Sequence, residues 1–521
     1  MRLSPGNILF HVTLALAGLL HALPAQAENE AKAEAALKEF GGYYSHQNEH
    51  VRKAAVEGLM GVDHHTVTAQ LLKVLTDPSE AVRKSAIMAL GTQRNMLGTS
   101  ELIKRAWKGR NKEERLAILQ AFRLSKPDQA YTILLDLLQD KDWQLRHAAV
   151  ECITAFGDRD GATLGSLIPL ASDKEALVRL AVVQGFLELN NPRCHPTAVE
   201  RLKDSDWRVQ SAAIKICRNY RQKASIGPLI DLLGTTQGRL LDDITQTLQD
   251  LCDRDMPGDA AEWKKWWAKV GEGFQVPTAE QIKERRRKES ESRRGYDPPR
   301  KSDYPPYHGI KTNSRRMLFV VDISGSMAEH LVLNRNDRDS MAAFQERYGH
   351  LNTTIKIDIA REELINIVAG LKPHARFNIV TFNSEVQRFE DSLVPATGDH
   401  KNRAIKFLAR LQPAALAPVS RAVTLGQTNT FEAINSCFGI FKGDTWDPKV
   451  SKSEADTVFF LSDGNPTTGR ITDPQELVNY FRTVNKRVEM VVHTISFGAS
   501  NKGLMEGIAL ASGGQSVMIG N

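Results

Sequence analysis

Cysteine is scarce in this chain. Only Cys152, Cys194, Cys217, Cys252 and Cys437 occur in 521 residues, and no C-x-x-C or comparably tight pair suggests a metal or redox site. Cys152 and Cys217 fall within helical patterns, where cysteine acts as a small buried hydrophobe. Long apolar runs are equally few. Past residue 23 nothing approaches the ~20 apolar residues that a transmembrane helix needs. Charge of one sign is lacking too: the formal net charge is only +6. Most of that excess sits between Lys283 and Lys301, with nine Lys/Arg against four Asp/Glu, so the basic balance does not argue for a nucleic-acid protein and no nucleic-acid partner is expected. Catalytic signatures are missing as well. There is no G-x-x-x-x-G-K-[ST], no G-x-S-x-G and no H-E-x-x-H, and the 14 histidines lack a matching Cys or Glu constellation. No catalytic residue and no organic cofactor is expected.

What is present is an ordinary globular composition, 41% hydrophobic and 25% charged, on a chain long enough for two or three domains. The N-terminus carries Arg2, an apolar stretch from Ile8 to Leu23, and then Ala25-Gln26-Ala27. These are the charged, apolar and small-residue parts of a secretory signal, so residues 1–27 are expected to be a cleaved signal peptide of bacterial form. A retained anchor is the rival reading; Pro24 and the small-residue site favour cleavage. The mature chain is then expected to be exported, periplasmic or secreted, with no membrane span.

Residues 28–272 contain a repeat. Arg52, Arg83, Arg115, Arg146, Arg179, Gln210 and Leu241 follow one another at steps of 31, 32, 31, 33, 31 and 31. Three places on stand Ala55, Ala86, Ile118, Ala149, Val182, Ala213 and Ile244, and seven places on Leu59, Leu90, Phe122, Ile153, Phe186, Cys217 and Leu248. That is one small or apolar helix face repeated seven times. A second helix precedes several copies and often ends in aspartate, as at Asp77 and Asp140. Two helices per ~31 residues cannot bury their faces alone, so neighbours must stack into a solenoid. The pattern resembles the short HEAT-like repeats of the phycobilisome-lyase type, although nothing here carries over a lyase activity. The seventh copy departs from the others at Leu241, Asp242 and Asp243 and reads as a cap, with Trp263, Trp266 and Trp267 plugging the end of the stack. Residues 273–313, charged and then Pro-rich, read as a semi-rigid spacer.

Residues 314–521 alternate strand and helix, as a doubly wound parallel sheet requires. An apolar strand, Met317 to Val321, runs into Asp322-Ile323-Ser324-Gly325-Ser326, and ligand sites lie at the carboxyl ends of such strands. Asp322, Ser324 and Ser326 are hard oxygen donors, suited to Mg²⁺ or Mn²⁺ and not to zinc. Thr428 stands in a loop before a helical pattern, and Asp463 ends another apolar strand, Thr457 to Ser462. Together these stretches resemble the metal-ion-dependent adhesion site of von Willebrand factor A (VWA) domains. The expected architecture is therefore multidomain: an all-α HEAT-like solenoid followed by an α/β, Rossmann-like VWA domain. The resemblance implies that Ser324, Ser326 and Thr428 ligate Mg²⁺ (or Mn²⁺) directly, with Asp322 and Asp463 acting through water or hydrogen bonds. It also implies a protein partner whose acidic residue completes the coordination shell.

One departure matters. About thirty residues separate Met327 from Ile357 where many relatives of this type run directly into a helix. This insertion is expected to overhang the metal, either lending specificity or blocking the site through Asp337 or Asp339. The reading is an extracytoplasmic interaction protein of adhesion type, with the solenoid as a second binding surface. The alternatives are a scaffold with a vestigial or self-blocked site, or a non-catalytic subunit of a metal-insertion or ATPase complex.

Overall fold

The computed structural model describes residues 27–278, 280–284, 304–333, 338–412, 426–439, 454–499 and 501–520. The expected signal peptide lies outside them except for its last residue. Two compact units are formed, 1–194 and 195–521. Among the described residues no helix is long and apolar enough to cross a membrane.

Among its described residues the first unit is built from helices, with no strand. The second helix of each repeat is Glu49–Glu57, Glu80–Leu90, Lys112–Ser125, Trp143–Ala155 and Ala176–Leu189. The aligned arginine is the fourth residue of each, and the position seven places later is fully buried every time: Leu59, Leu90, Phe122, Ile153 and Phe186. The arginines have a second, polar task. Arg52 reaches Asp77 through two bonds of 3.0 Å, Arg115 reaches Asp140 at 2.8 Å, and Arg146 clasps Asp173 at 2.7 and 2.8 Å. Each of these aspartates also accepts the amide two residues on, from Ser79, Asp142 and Glu175. One carboxylate thus turns the chain between helices and receives the arginine of the preceding repeat.

The second unit begins with the last two repeats and continues into the α/β domain. Their second helices, Trp207–Tyr220 and Arg239–Cys252, bury Cys217 and Leu248 at the same register. The seventh copy is not a solvent-facing cap. Asp242 accepts the Asn313 amide at 2.8 Å and its side-chain N–H at 2.6 Å, and Arg239 donates to the Glu489 carbonyl and the Ser211 hydroxyl. Of the residues that break the repeat, Asp242 is the one held from outside it, by Asn313 just before the first strand, and its neighbour Arg239 reaches Glu489. Helix Ala260–Val270 packs on helix Ile226–Leu233, with Trp263 fully buried and its indole N–H on the Pro257 carbonyl. All five cysteines are free and buried.

The sheet is formed by β1 (Arg316–Asp322), β2 (Arg376–Phe382), β3 (Val386–Arg388), β4 (Val394–Pro395), β5 (Thr457–Ser462), β6 (Val491–Phe497) and β7 (Ser516–Ile519). Its order is β3-β2-β1-β5-β6-β7, parallel except for β3 and β4, which pair antiparallel with β2. Strand β1 is central and buried on both faces, which is why it reads as an unbroken apolar run. Phe319 and Val321 face one core with helix Lys356–Gly370; Leu318 and Val320 face the other with helices Thr430–Cys437 and Pro474–Asn485.

The end of the expected spacer is part of this core. Tyr304, Tyr307 and Ile310 are buried, and the Tyr307 ring lies 5.5 Å from Phe319 and 5.3 Å from Phe459. Three apolar groups at spacing three outweigh the prolines beside them. His308, fully buried, bonds Tyr348 at 2.9 Å, and Arg347 donates to the His308 carbonyl. Tyr348 closes helix Arg338–Tyr348, so the far half of the insertion docks onto the start of the domain. Asp337 lies outside the described residues, and the Asp339 side chain does too.

Burial, helped by Arg347, pushes the His308 imidazole down to about 3. Its folded value is below the unfolded one near 6.5, so its contribution is complete above that pH and is lost on acidification. Between pH 7.5 and 5.5 this single group is expected to cost the fold about 1.4 kcal/mol. Urea unfolding at the two values checks it: His308→Asn should show a smaller loss than the parent, and equal losses would contradict the assignment.

Candidate metal centre

Strand β1 delivers Asp322 to the carboxyl edge of the sheet, directly beside the end of β5. Both carboxylate oxygens of Asp322 are engaged: Oδ1 accepts the Ser324 amide at 2.8 Å and Oδ2 the Ser462 hydroxyl at 2.7 Å. Burial, and then the charge of Asp463, pushes the Asp322 carboxyl up to about 7. The chain turns after Asp322 into a short 3-10 segment, Gly325–Ala328, which sets the Ser324 and Ser326 hydroxyls 3.3 Å apart. Ser326 donates to Asp463 Oδ1 at 2.7 Å.

Thr428 arrives from a loop stitched to the segment after β5. Its amide donates to the Thr467 hydroxyl at 2.8 Å, and its carbonyl accepts the Thr467 amide at 3.0 Å. Gly464 shows where the loops converge: a Cβ there would lie 3.8 Å from both Ser326 Oγ and Thr428 Oγ1. Glycine leaves that space open. Asp322, Ser324, Ser326, Thr428 and Asp463 thus form one cluster, buried except for the partly exposed Ser326.

The donor set has a definite chemistry. Among the described residues no group of three or more His, Cys, Asp or Glu side chains converges. Three hydroxyls and two carboxylates are oxygen donors only, which fits a hard divalent ion that keeps part of its water shell. The residues present therefore fit Mg²⁺ or Mn²⁺.

One participant has no sequence periodicity to reveal it. Lys356, the first residue of helix Lys356–Gly370, places its ammonium 2.8 Å from Asp463 Oδ2. Burial pulls this ammonium down, yet Asp463 and Glu329 more than offset that and hold it above its ordinary range. Ser462, the Asp322 partner, had a readable signal: it is a hydroxyl ending a strand whose interior, Val458 to Leu461, is wholly apolar.

Comparison with known proteins supports the division into repeats and an α/β domain. A profile for the von Willebrand factor type A domain matches residues 317–465, which include all five positions. The C-terminal region is a VWA domain. Profiles for HEAT repeats match residues 21–91, 40–123, 164–249 and 130–159 of the helical region that precedes this VWA domain. The chain is 27% identical over 207 residues to human inter-alpha-trypsin inhibitor heavy chain H4, covering 40% of this chain and 18% of that protein. Heavy chain H1 of Mesocricetus auratus is 28% identical over 185 residues, 36% of this chain and 16% of the relative. These matches span less than a fifth of the relatives' length. Among solved structures, the CpcE–CpcF complex of phycocyanin lyase from Nostoc is similar at 16% identity and a TM-score of 0.25, covering 44% of this chain and 92% of that one. A designed armadillo repeat protein is similar at 16% identity and a TM-score of 0.22, covering 36% and 99%.

Proposed function

We propose that this is a non-catalytic, extracytoplasmic interaction protein whose VWA domain grips an acidic group of a partner protein through a divalent ion. The observation that carries the reading is the convergence of Ser324, Ser326 and Thr428 with Asp322 and Asp463 at the carboxyl edge of the sheet. The three hydroxyls would contact Mg²⁺ or Mn²⁺ directly, and the two aspartates would hold its water and the serines in place. When bound, the ion supplies a hard electropositive centre whose charge neutral hydroxyls leave uncompensated, which suits an incoming carboxylate. Asp322, locked between Ser324 and Ser462, orients the serine turn. The HEAT solenoid offers a second protein-binding surface. An exported location, periplasmic or secreted, rests on the N-terminal sequence.

The test is a panel of peptides bearing exposed aspartate or glutamate, measured against the whole protein with Mg²⁺ and with chelator. Binding should appear only with the metal and disappear in Ser326→Ala. Binding that survives both treatments would refute metal-gated recognition.

A second reading is favoured by one contact. The ammonium of Lys356 on Asp463 supports a scaffold whose site is closed from within.

A further inference from the structure

We propose that Lys356 is a displaceable internal cation that competes with the divalent ion for Asp463 and so sets the affinity of the site. This rests on the metal-binding reading above. The lysine contacts three groups at once: Asp463 Oδ2 at 2.8 Å, Glu329 Oε2 at 3.2 Å and the Ser326 carbonyl at 3.3 Å. An ammonium has three N–H donors, so all are engaged, two of them by residues of the metal cluster. The Asp463 side chain is fully buried and that of Lys356 is 11% exposed, so their attraction is little screened by water.

The placement is locally unfavourable. Lys356 is the first residue of its helix, where the macrodipole repels positive charge and favours carboxylates. Helix formation therefore does not account for a lysine here; the buried aspartate does. A divalent ion held through the same carboxylate would share it with the ammonium, and the two positive charges would repel. One must leave. The lysine has the means, because its stem is flexible and its third partner, Glu329, is 68% exposed. Glu329 belongs to the start of the insertion, so metal entry shifts the lysine toward that segment and couples the site to it.

The experiment uses the whole protein. Mg²⁺ titration by calorimetry compares the parent with Lys356→Met and Lys356→Arg. Acetylation of Lys356, read by mass spectrometry, is followed with chelator and with Mg²⁺. Lys356→Met is expected to bind roughly tenfold more tightly than the parent, the range of a charged hydrogen bond, and Lys356→Arg to stay near it. Lys356 in the parent should be protected in chelator and become reactive with Mg²⁺. Equal or weaker binding by Lys356→Met overturns the inference while leaving the metal site standing. Binding by Lys356→Met alone upholds it and overturns metal gating in the native chain in favour of the scaffold. Binding by neither overturns both. Should Lys356→Met fail to fold, the acetylation pattern of the parent decides: protection that Mg²⁺ does not relieve overturns the inference.

Discussion

With Mg²⁺ at a hundred times its dissociation constant, the VWA domain is expected to gain about 2.7 kcal/mol of stability, and Ser326→Ala to forfeit that gain. The size follows from mass action alone, because an ion that binds the folded state and not the unfolded chain shifts the equilibrium by the logarithm of its saturation. For a domain of this size each kcal/mol moves the midpoint by about 2–4 °C, so the shift is large enough to see by calorimetry. Ser326 is the decisive position because its hydroxyl serves the cluster twice, 2.7 Å from Asp463 and 3.3 Å from Ser324. Removing it takes away one donor oxygen and leaves Asp463 Oδ1 without that hydroxyl. Asp463→Ala should also lose the response, but it frees the Lys356 ammonium as well and will change the metal-free stability more. Zn²⁺ should give no comparable gain, since the cluster holds neither thiolate nor imidazole. A Mg²⁺ shift of equal size in the parent and in Ser326→Ala would remove the site from consideration.

Much of this cluster was legible because each residue stands where local rules are strong. Asp322 and Asp463 end apolar strands that are buried on both faces, so the runs Met317–Val321 and Thr457–Leu461 announce the sheet without any tertiary knowledge. The repeats were legible for a similar reason: a step of 31 to 33 residues places the same helix face in the same stack each time. Much of what escaped is held by polar contacts between distant segments. Lys356 and Asp463 are 107 residues apart, and Asp242 and Asn313 are 71 apart, so neither pair leaves a period in the sequence. Asp242 and Asp243 were visible as a break in the repeat, but a break alone does not tell a solvent-facing end from a face that binds another domain. Tyr304, Tyr307 and Ile310 were obscured by Pro305-Pro306 and the basic run before them. Proline-rich composition reads as extended chain, yet extended chain can lie against a core as readily as in solvent.

The largest loss of stability is expected in the solenoid, from Arg146→Ala, at about 3–5 kcal/mol. Arg146 is 7% exposed, and it spans two repeats. Its Nη1 donates to the Asp140 and Lys141 carbonyls at 2.9 and 3.2 Å, holding the loop between the two helices, while Nε and Nη2 form the fork on Asp173. Alanine strands all of these acceptors, and the cost is chiefly that of leaving a half-buried carboxylate without its partner. The pH dependence tests this cause. Burial pushes the Asp173 carboxyl up, but Arg146 and the Glu175 amide together hold it below the usual carboxylate range. A carboxylate lowered in the folded state contributes its full stability above the unfolded value near 3.9, and loses it as pH falls through the folded one. Arg146→Ala should therefore destabilise strongly at pH 7 and progressively less as the solution is acidified below pH 4. Arg146→Met with Asp173→Leu, which removes both charges and keeps the volume, should recover much of the loss. Urea unfolding of the three proteins measures all of this. If the double variant is as unstable as Arg146→Ala, the stranded charge is not the cause, and the bonds to the Asp140 and Lys141 carbonyls of the loop must be.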